Sequence, residues 1–214
     1  GLSSLENENY KKAIIEFDNL SLNHPFSSLA KKSDIMTAYS LYQNNEIKKS
    51  ISKLKIFIEM NPNDEFSDYA HYLLAMCYYI QVSNQGRDPS LSIKALNSFM
   101  LIIIKYPNSK YAKDSKLKIQ YIKNSLANNE LDIGKFYLKK NAPASSIKRF
   151  KSILLNYQNT SSIPETLYRL TEAFLMIGLK KEAVKSDAVL KYNFPNSEWT
   201  NFCLLYTSDA ADEP

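Results

Sequence analysis

Residues 94–109 read Lys94-Ala95-Leu96-Asn97-Ser98-Phe99-Met100-Leu101-Ile102-Ile103-Ile104-Lys105-Tyr106-Pro107-Asn108-Ser109. Ala95, Phe99 and Ile102 follow helical spacing, so a small, a large and a branched side chain share one face. The small residue lets a neighbouring helix approach, and the large one fills the groove beside it. Pro107 ends the helix because it has no N–H and pushes the preceding residue out of the α region. Ser109 is then placed to cap the next helix.

The same frame recurs along the chain. It reads Lys12-Ala13-Ile14 with Phe17, Leu20 and Pro25, then Lys49-Ser50-Ile51 with Leu54, Phe57 and Pro62. It returns as Ser145-Ser146-Ile147 with Phe150, Ile153 and Gln158, and as Glu182-Ala183-Val184 with Leu190 and Pro195. The fifth copy has Asp187 where a large residue is due, and Leu190 recovers the face. The small residues are 37, 45, 51 and 37 positions apart, near the tetratricopeptide period of about 34 with insertions in the middle gaps. Ser27, Asp64, Ser109 and Ser197 follow the prolines as expected caps.

Partner helices are expected at 27–43, 65–83, 110–127 and 163–177. Their stripes include Leu29, Ile35, Met36, Tyr39 and Tyr42, then Tyr69, Leu73, Met76, Cys77 and Ile80. Residues 85–89 form a loop whose Asp88 and Pro89 suit N-cap and N1. The stretch 128–141 adds a helical segment before a break at Ala142-Pro143. No period-two pattern competes. The expected fold is all-α: a tetratricopeptide-like solenoid of about five helix-hairpin repeats, each covering its neighbour's apolar face.

Composition narrows the function. The chain has 214 residues with 44% apolar content, too apolar for a disordered polymer. Only 4 glycines are present, and neither a dinucleotide fingerprint nor a phosphate loop occurs. The apolar run of note, Phe99 to Ile104, is far short of the roughly 20 residues that span a bilayer. Gly1 opens the chain without Met or a leader pattern, so a fragment lacking its true start is expected. Residues 203–214 read as the translation of a library-preparation adapter and are expected to carry no fold of their own. Without Asp209, Asp212 and Glu213 the net charge rises from +5 to +8. The lysines are spread in pairs such as Lys11-Lys12 and Lys139-Lys140, which reads as a solvated surface.

No catalytic constellation emerges. His24 and His71 belong to no metal motif; His24 reads as a helix-end residue and His71 as a solvated helix histidine. Cys77 lies in an apolar stripe and reads as a small core residue. Asp64, Glu65 and Glu165 sit at helix starts, where their charge complements the dipole. Neither an enzyme nor a cofactor is expected. The tyrosines say more: Tyr39, Tyr42, Tyr69, Tyr72, Tyr78 and Tyr79 crowd two consecutive repeat helices of the kind expected to line a concave, peptide-gripping side. Core packing is the competing explanation for most of them.

Several stretches resemble a known family. Arg87-Asp88-Pro89, Phe99 and Tyr106-Pro107-Asn108-Ser109-Lys110-Tyr111-Ala112 resemble the third-to-fourth repeat junction of the BamD family of outer-membrane assembly lipoproteins. Ser125-Leu126-Ala127, Glu130, Phe136-Tyr137-Leu138-Lys139-Lys140 and Arg149-Phe150 are similar to its fourth repeat. Asn193-Phe194-Pro195-Asn196-Ser197-Glu198-Trp199 looks like the end of the α-proteobacterial form, and Leu5 to Phe26 fits the first repeat. The resemblance spans nearly all of 1–202.

It implies a non-enzymatic scaffold at the periplasmic face of the outer membrane, held by a lipid on an N-terminal cysteine that this sequence does not contain. It also implies a set of partners: the last POTRA domain of BamA, other BAM lipoproteins, and unfolded β-barrel precursors. Nucleic acid is not among them. By the same resemblance, residues 1–109 form the substrate-receiving half and 110–202 the BamA-docking half. Arg149 matches the family's contact arginine. Phe26, Tyr39, Tyr42, Tyr69 and Tyr72 are the expected substrate-peptide groove, with His24 replacing an aromatic common in relatives. The alternative is another periplasmic repeat protein, of the Tol-Pal-associated cell-envelope coordination type, which shares Tyr-Pro-Asn-Ser turns.

Overall fold

Two kinds of turn join most of the described helices. The computed structural model describes residues 1–25, 27–82 and 89–202. Among them run α1 (Leu2–Glu6), α2 (Tyr10–Asn23), α3 (Ser28–Gln43), α4 (Ile47–Met60) and α5 (Ser67–Val82). They are followed by α6 (Pro89–Lys105), α7 (Lys110–Lys139), α8 (Pro143–Asn156), α9 (Ile163–Met176) and α10 (Lys180–Asn193). No strand occurs among the described residues. Phe26, Asp88 and residues 203–214, to which the sequence reading gave roles, lie outside them.

The first kind of turn follows α1, α3, α7 and α9. Each has one residue in the left-handed region: Glu8 at φ 55°, Asn45 at 61°, Asn141 at 54° and Gly178 at 74°. The next residue's N–H reaches back five positions, from Asn9 to Ser4 O and from Glu46 to Leu41 O at 2.8 Å. The bonds from Ala142 to Tyr137 O and from Leu179 to Phe174 O are 2.9 Å long. This is the Schellman arrangement, which satisfies carbonyls that the last helical turn would leave bare. Glycine and asparagine tolerate the backbone it needs.

The second kind uses proline and a polar cap. Pro25, Pro62, Pro107 and Pro195 follow α2, α4, α6 and α10. The cap oxygens accept as the sequence predicts: Ser27 from Ala30 N–H at 3.1 Å and Asp64 from Phe66 N–H at 3.1 Å. Ser109 accepts from Tyr111 N–H at 3.2 Å and Ser197 from Trp199 N–H at 3.4 Å. The turn at Asp64-Glu65-Phe66 delays α5 to Ser67, two residues later than expected. A larger difference concerns 110–127 and 128–141, which form one helix, α7. Neither proline nor a left-handed residue occurs between them, so Asn128 and Asn129 simply continue the backbone hydrogen bonding.

The repeated frame is the core. Ala13, Ser50, Ala95, Ser146 and Ala183 are all buried, and so are Phe17, Leu54, Phe99 and Phe150. Burying each such large side chain contributes roughly 2–3 kcal/mol. Asp187, the exception, is also buried; Lys191 Nζ lies 2.6 Å from its Oδ2, and Leu190 is fully covered beside it. The two serines act alike. Ser50 Oγ donates to Ala38 O at 2.8 Å, and Ser146 Oγ donates to Gly134 O at 2.9 Å. Gly134 is required by contact: a Cβ there would stand 2.2 Å from Phe150 Cε1.

The chain divides into residues 1–119 and 120–214. In the first unit, Ile35, Leu54, Phe57, Leu73 and Cys77 form a cluster on which Tyr39, Tyr42 and Tyr69 pack. In the second, Leu131, Phe150, Ile153, Leu167, Phe174 and Leu190 form another. Cys77 is a core residue, as read. Its thiol lies 3.4 Å from Ser50 Oγ, and burial pushes its pKa up to about 11, so it is not a ready nucleophile. Among the described residues no helix is long and apolar enough to cross a membrane.

Candidate functional site

In the first unit α3, α5 and the start of α7 bring tyrosines together. Tyr69 and Tyr72 are three apart on α5 and so share a face. Both meet Tyr111: the Tyr72 ring stacks on it at 4.7 Å between centroids, and Tyr69 tilts against it at 5.3 Å. Tyr111 stands there because the Pro107 turn and Ser109 cap start α7 beside α5, and Ser109 Oγ donates to Asp68 Oδ2 at 2.6 Å. Tyr39 and Tyr42 on α3 complete the group. They pack on the same apolar cluster as Tyr69, whose pKa burial raises.

Polar groups fix the edges. Tyr72 donates its hydroxyl to Asp114 Oδ2 at 2.6 Å, and Lys118 Nζ donates to Asp114 Oδ1 at 3.0 Å. Burial works to raise the Asp114 pKa, but the bonds from Tyr72 and Lys118 outweigh it and hold the carboxylate below its ordinary value. Gln43 Nε2 donates to the Tyr39 oxygen at 2.6 Å. Burial, and for Tyr72 the bond to Asp114, raise the pKa of Tyr69 and Tyr72, so both remain protonated donors at neutral pH. The four described tyrosines of the expected groove are thus neighbours. Tyr111, read as part of a repeat turn, joins them unannounced. Tyr79 instead edges Phe99 at 6.0 Å, and Lys118 lies over its ring.

His71 is not the solvated histidine that the sequence suggests. It lies 5.6 Å from the Tyr106 ring, and its Nε2 is buried with no hydrogen-bond partner. Burial first, and Lys105 second, hold its pKa below 6.5, so the ring is neutral. Asp64 does more than complement a dipole, since Lys31 Nζ lies 2.8 Å from it. Glu165 likewise meets Lys135 at 3.0 Å. No group of three or more metal-ligating side chains occurs among the described residues.

In the second unit Arg149 projects from α8 toward α7. Its Nη1 donates to both oxygens of Glu130, at 3.2 and 3.1 Å. With Tyr137, Ser145, Lys148 and Ser152 the pair lines an open cleft of about 360 Å³. Nothing in the spacing of residues 130 and 149 announces this contact, because it crosses from one helix to the next.

A family described as outer membrane lipoprotein YfiO matches residues 1–190. The chain belongs to this family. The outer membrane protein assembly factor BamD of Rickettsia prowazekii is 40% identical over 202 residues, covering 94% of this chain and 80% of that protein. The factor of the same name from Caulobacter vibrioides is 38% identical over 199 residues, covering 93% of this chain and 65% of that one. These are the α-proteobacterial relatives that the resemblance anticipates. This chain is therefore an outer-membrane lipoprotein of the BamD family, a non-enzymatic, periplasm-facing assembly factor of the BAM complex. The Tol-Pal-associated alternative is set aside. A putative kinesin light chain of Podosopora anserina with TPR-like repeats aligns over 89% of this chain at TM-score 0.41 and 10% identity, too distant to add to what the helix pairing shows.

Proposed function

We propose that the two halves of this BAM-complex subunit hold different polypeptides. Residues 1–109 receive unfolded β-barrel precursors, and residues 110–202 dock the last POTRA domain of BamA, alongside other BAM lipoproteins. The tyrosine face carries the first assignment. Tyr39, Tyr42, Tyr69 and Tyr72, with Phe26 from the sequence, offer aromatic rings, and two of the hydroxyls are oriented: Tyr39 accepts from Gln43 and Tyr72 donates to Asp114. An extended aromatic segment binds such a surface through stacking and hydroxyl hydrogen bonds, without any covalent step. Arg149 in its cleft supports the second assignment, because a guanidinium fork suits a carboxylate on the partner.

Photo-crosslinkers placed at Tyr39 and Tyr72 should label the C-terminal peptide of a barrel precursor. Labelling confined to α2 and α4 positions such as Ile15 and Ile56 rejects the assignment. Arg149→Glu should abolish co-purification of BamA, and unchanged recovery counts against the docking half.

A further inference from the structure

We propose that Glu130 is the positioning residue of the docking cleft, holding one nitrogen of Arg149 so that the rest of the guanidinium is presented to an acidic side chain of the partner. This rests on the reading of Arg149 as the docking residue and extends it to a residue with no assigned role. Nη1 is the nitrogen engaged, and it meets both Glu130 oxygens. These are the only hydrogen bonds of the guanidinium among the described residues. The Nε and Nη2 edge, two donors spaced to match a carboxylate, stays outside the pair.

Exposure separates the roles of the two partners. The Arg149 side chain is 40% exposed and that of Glu130 is 23% exposed, so the acid is the anchored member and the base the reachable one. Glu130 sits inside the long helix α7, whose unbroken backbone fixes where its side chain starts. Arg149 reaches across from α8 on a flexible stem. Without the acid, that stem would lose its rotamer freedom on docking; with it, the freedom is already lost in the unbound protein. Lys148 adds a second cation to the same cleft. One anion against two cations leaves the cleft positive while Glu130 is in place, which selects a carboxylate-bearing partner.

The test titrates the full chain and its variants with the purified last POTRA domain of BamA. Arg149→Ala should weaken binding about thirtyfold or more, and Glu130→Ala about tenfold. Glu130→Gln keeps an acceptor oxygen for Nη1 and should stay within about threefold of the wild-type chain. Glu130→Ala added to Arg149→Ala should cost nothing further, because Glu130 acts only through Arg149. Should the alanine chain melt early, Glu130→Asp, with its oxygens drawn back by one methylene, supplies the same comparison. If Glu130→Ala binds normally while Arg149→Ala is impaired, the positioning role falls and the docking reading stands. The positioning role also falls if the glutamine is as weak as the alanine or if the double variant is additive. If Arg149→Ala itself binds normally, the docking reading falls.

Discussion

At the junction of α3 with α4, Ala38, Ser50 and Leu54 hold the places that Gly134, Ser146 and Phe150 hold between α7 and α8. The intervals of 12 and 4 residues are the same, and in both cases the serine hydroxyl donates to the carbonyl of the residue 12 before it. Only the volumes differ. With a methyl at position 38, the groove takes a leucine. With no Cβ at position 134, a phenyl ring occupies the vacated space, since a methyl there would sit 2.2 Å from it. Gly1 and Phe17 repeat the second solution, with a corresponding distance of 2.4 Å. In the fifth copy the residue 12 before Ala183 is Thr171, and the large position holds Asp187, whose Oδ1 has no hydrogen-bond partner. One backbone arrangement therefore accepts different side chains, provided that the two facing volumes are traded against each other.

The comparison can be broken most forcefully by emptying each groove. Phe150→Ala should lower the stability of its unit by about 4 kcal/mol and Leu54→Ala by about 3 kcal/mol, read from denaturant unfolding of the purified chain. A smaller change tests the trade itself. Gly134→Ala should cost about 2 kcal/mol by overpacking, and Phe150→Leu in the same chain should recover most of that loss. The mirror change, Ala38→Gly, should cost only about 1 kcal/mol, the helix-propensity difference, because no ring waits to fill the gap. If Phe150→Leu deepens the defect of Gly134→Ala, the volumes are not coupled. Removing the shared hydroxyl by Ser50→Ala or Ser146→Ala should cost about 1 kcal/mol in each unit.

The smallest expected effect concerns a contact that only the first unit has. His71 has a folded pKa below its ordinary 6.5, so the unfolded chain takes up a proton at a pH where the folded chain does not. The stability this group contributes is therefore complete above about pH 6.5 and is lost as pH falls through the folded value. Thermal melts should show a midpoint falling between pH 7 and 5, and His71→Phe should flatten that part of the profile. An unchanged slope would place the proton uptake elsewhere.

Much of the fold is legible because its determinants are local. Prolines, caps and the small-to-large frame act within a few residues, so Ala95, Phe99, Pro107 and Ser109 can be read in order. The failures share a cause too. The boundary expected between 127 and 128 does not form, because Asn128 and Asn129 lack the backbone restriction that enforces a stop. Tyr111 joins Tyr69 and Tyr72 only because α7 lands beside α5. The Glu130–Arg149 pair and the burial of His71 against Tyr106 likewise depend on which helix faces which. Residue type and spacing along one helix carry no record of that.

The matched volumes of positions 38 with 54 and 134 with 150 also leave a trace that can be sought without any structure. Across many descendants of this lineage the two positions should drift in concert, a glycine appearing wherever its distant companion becomes aromatic and retreating to alanine when it shrinks. Such correlated drift would mark repeat boundaries even where prolines and caps have eroded beyond recognition.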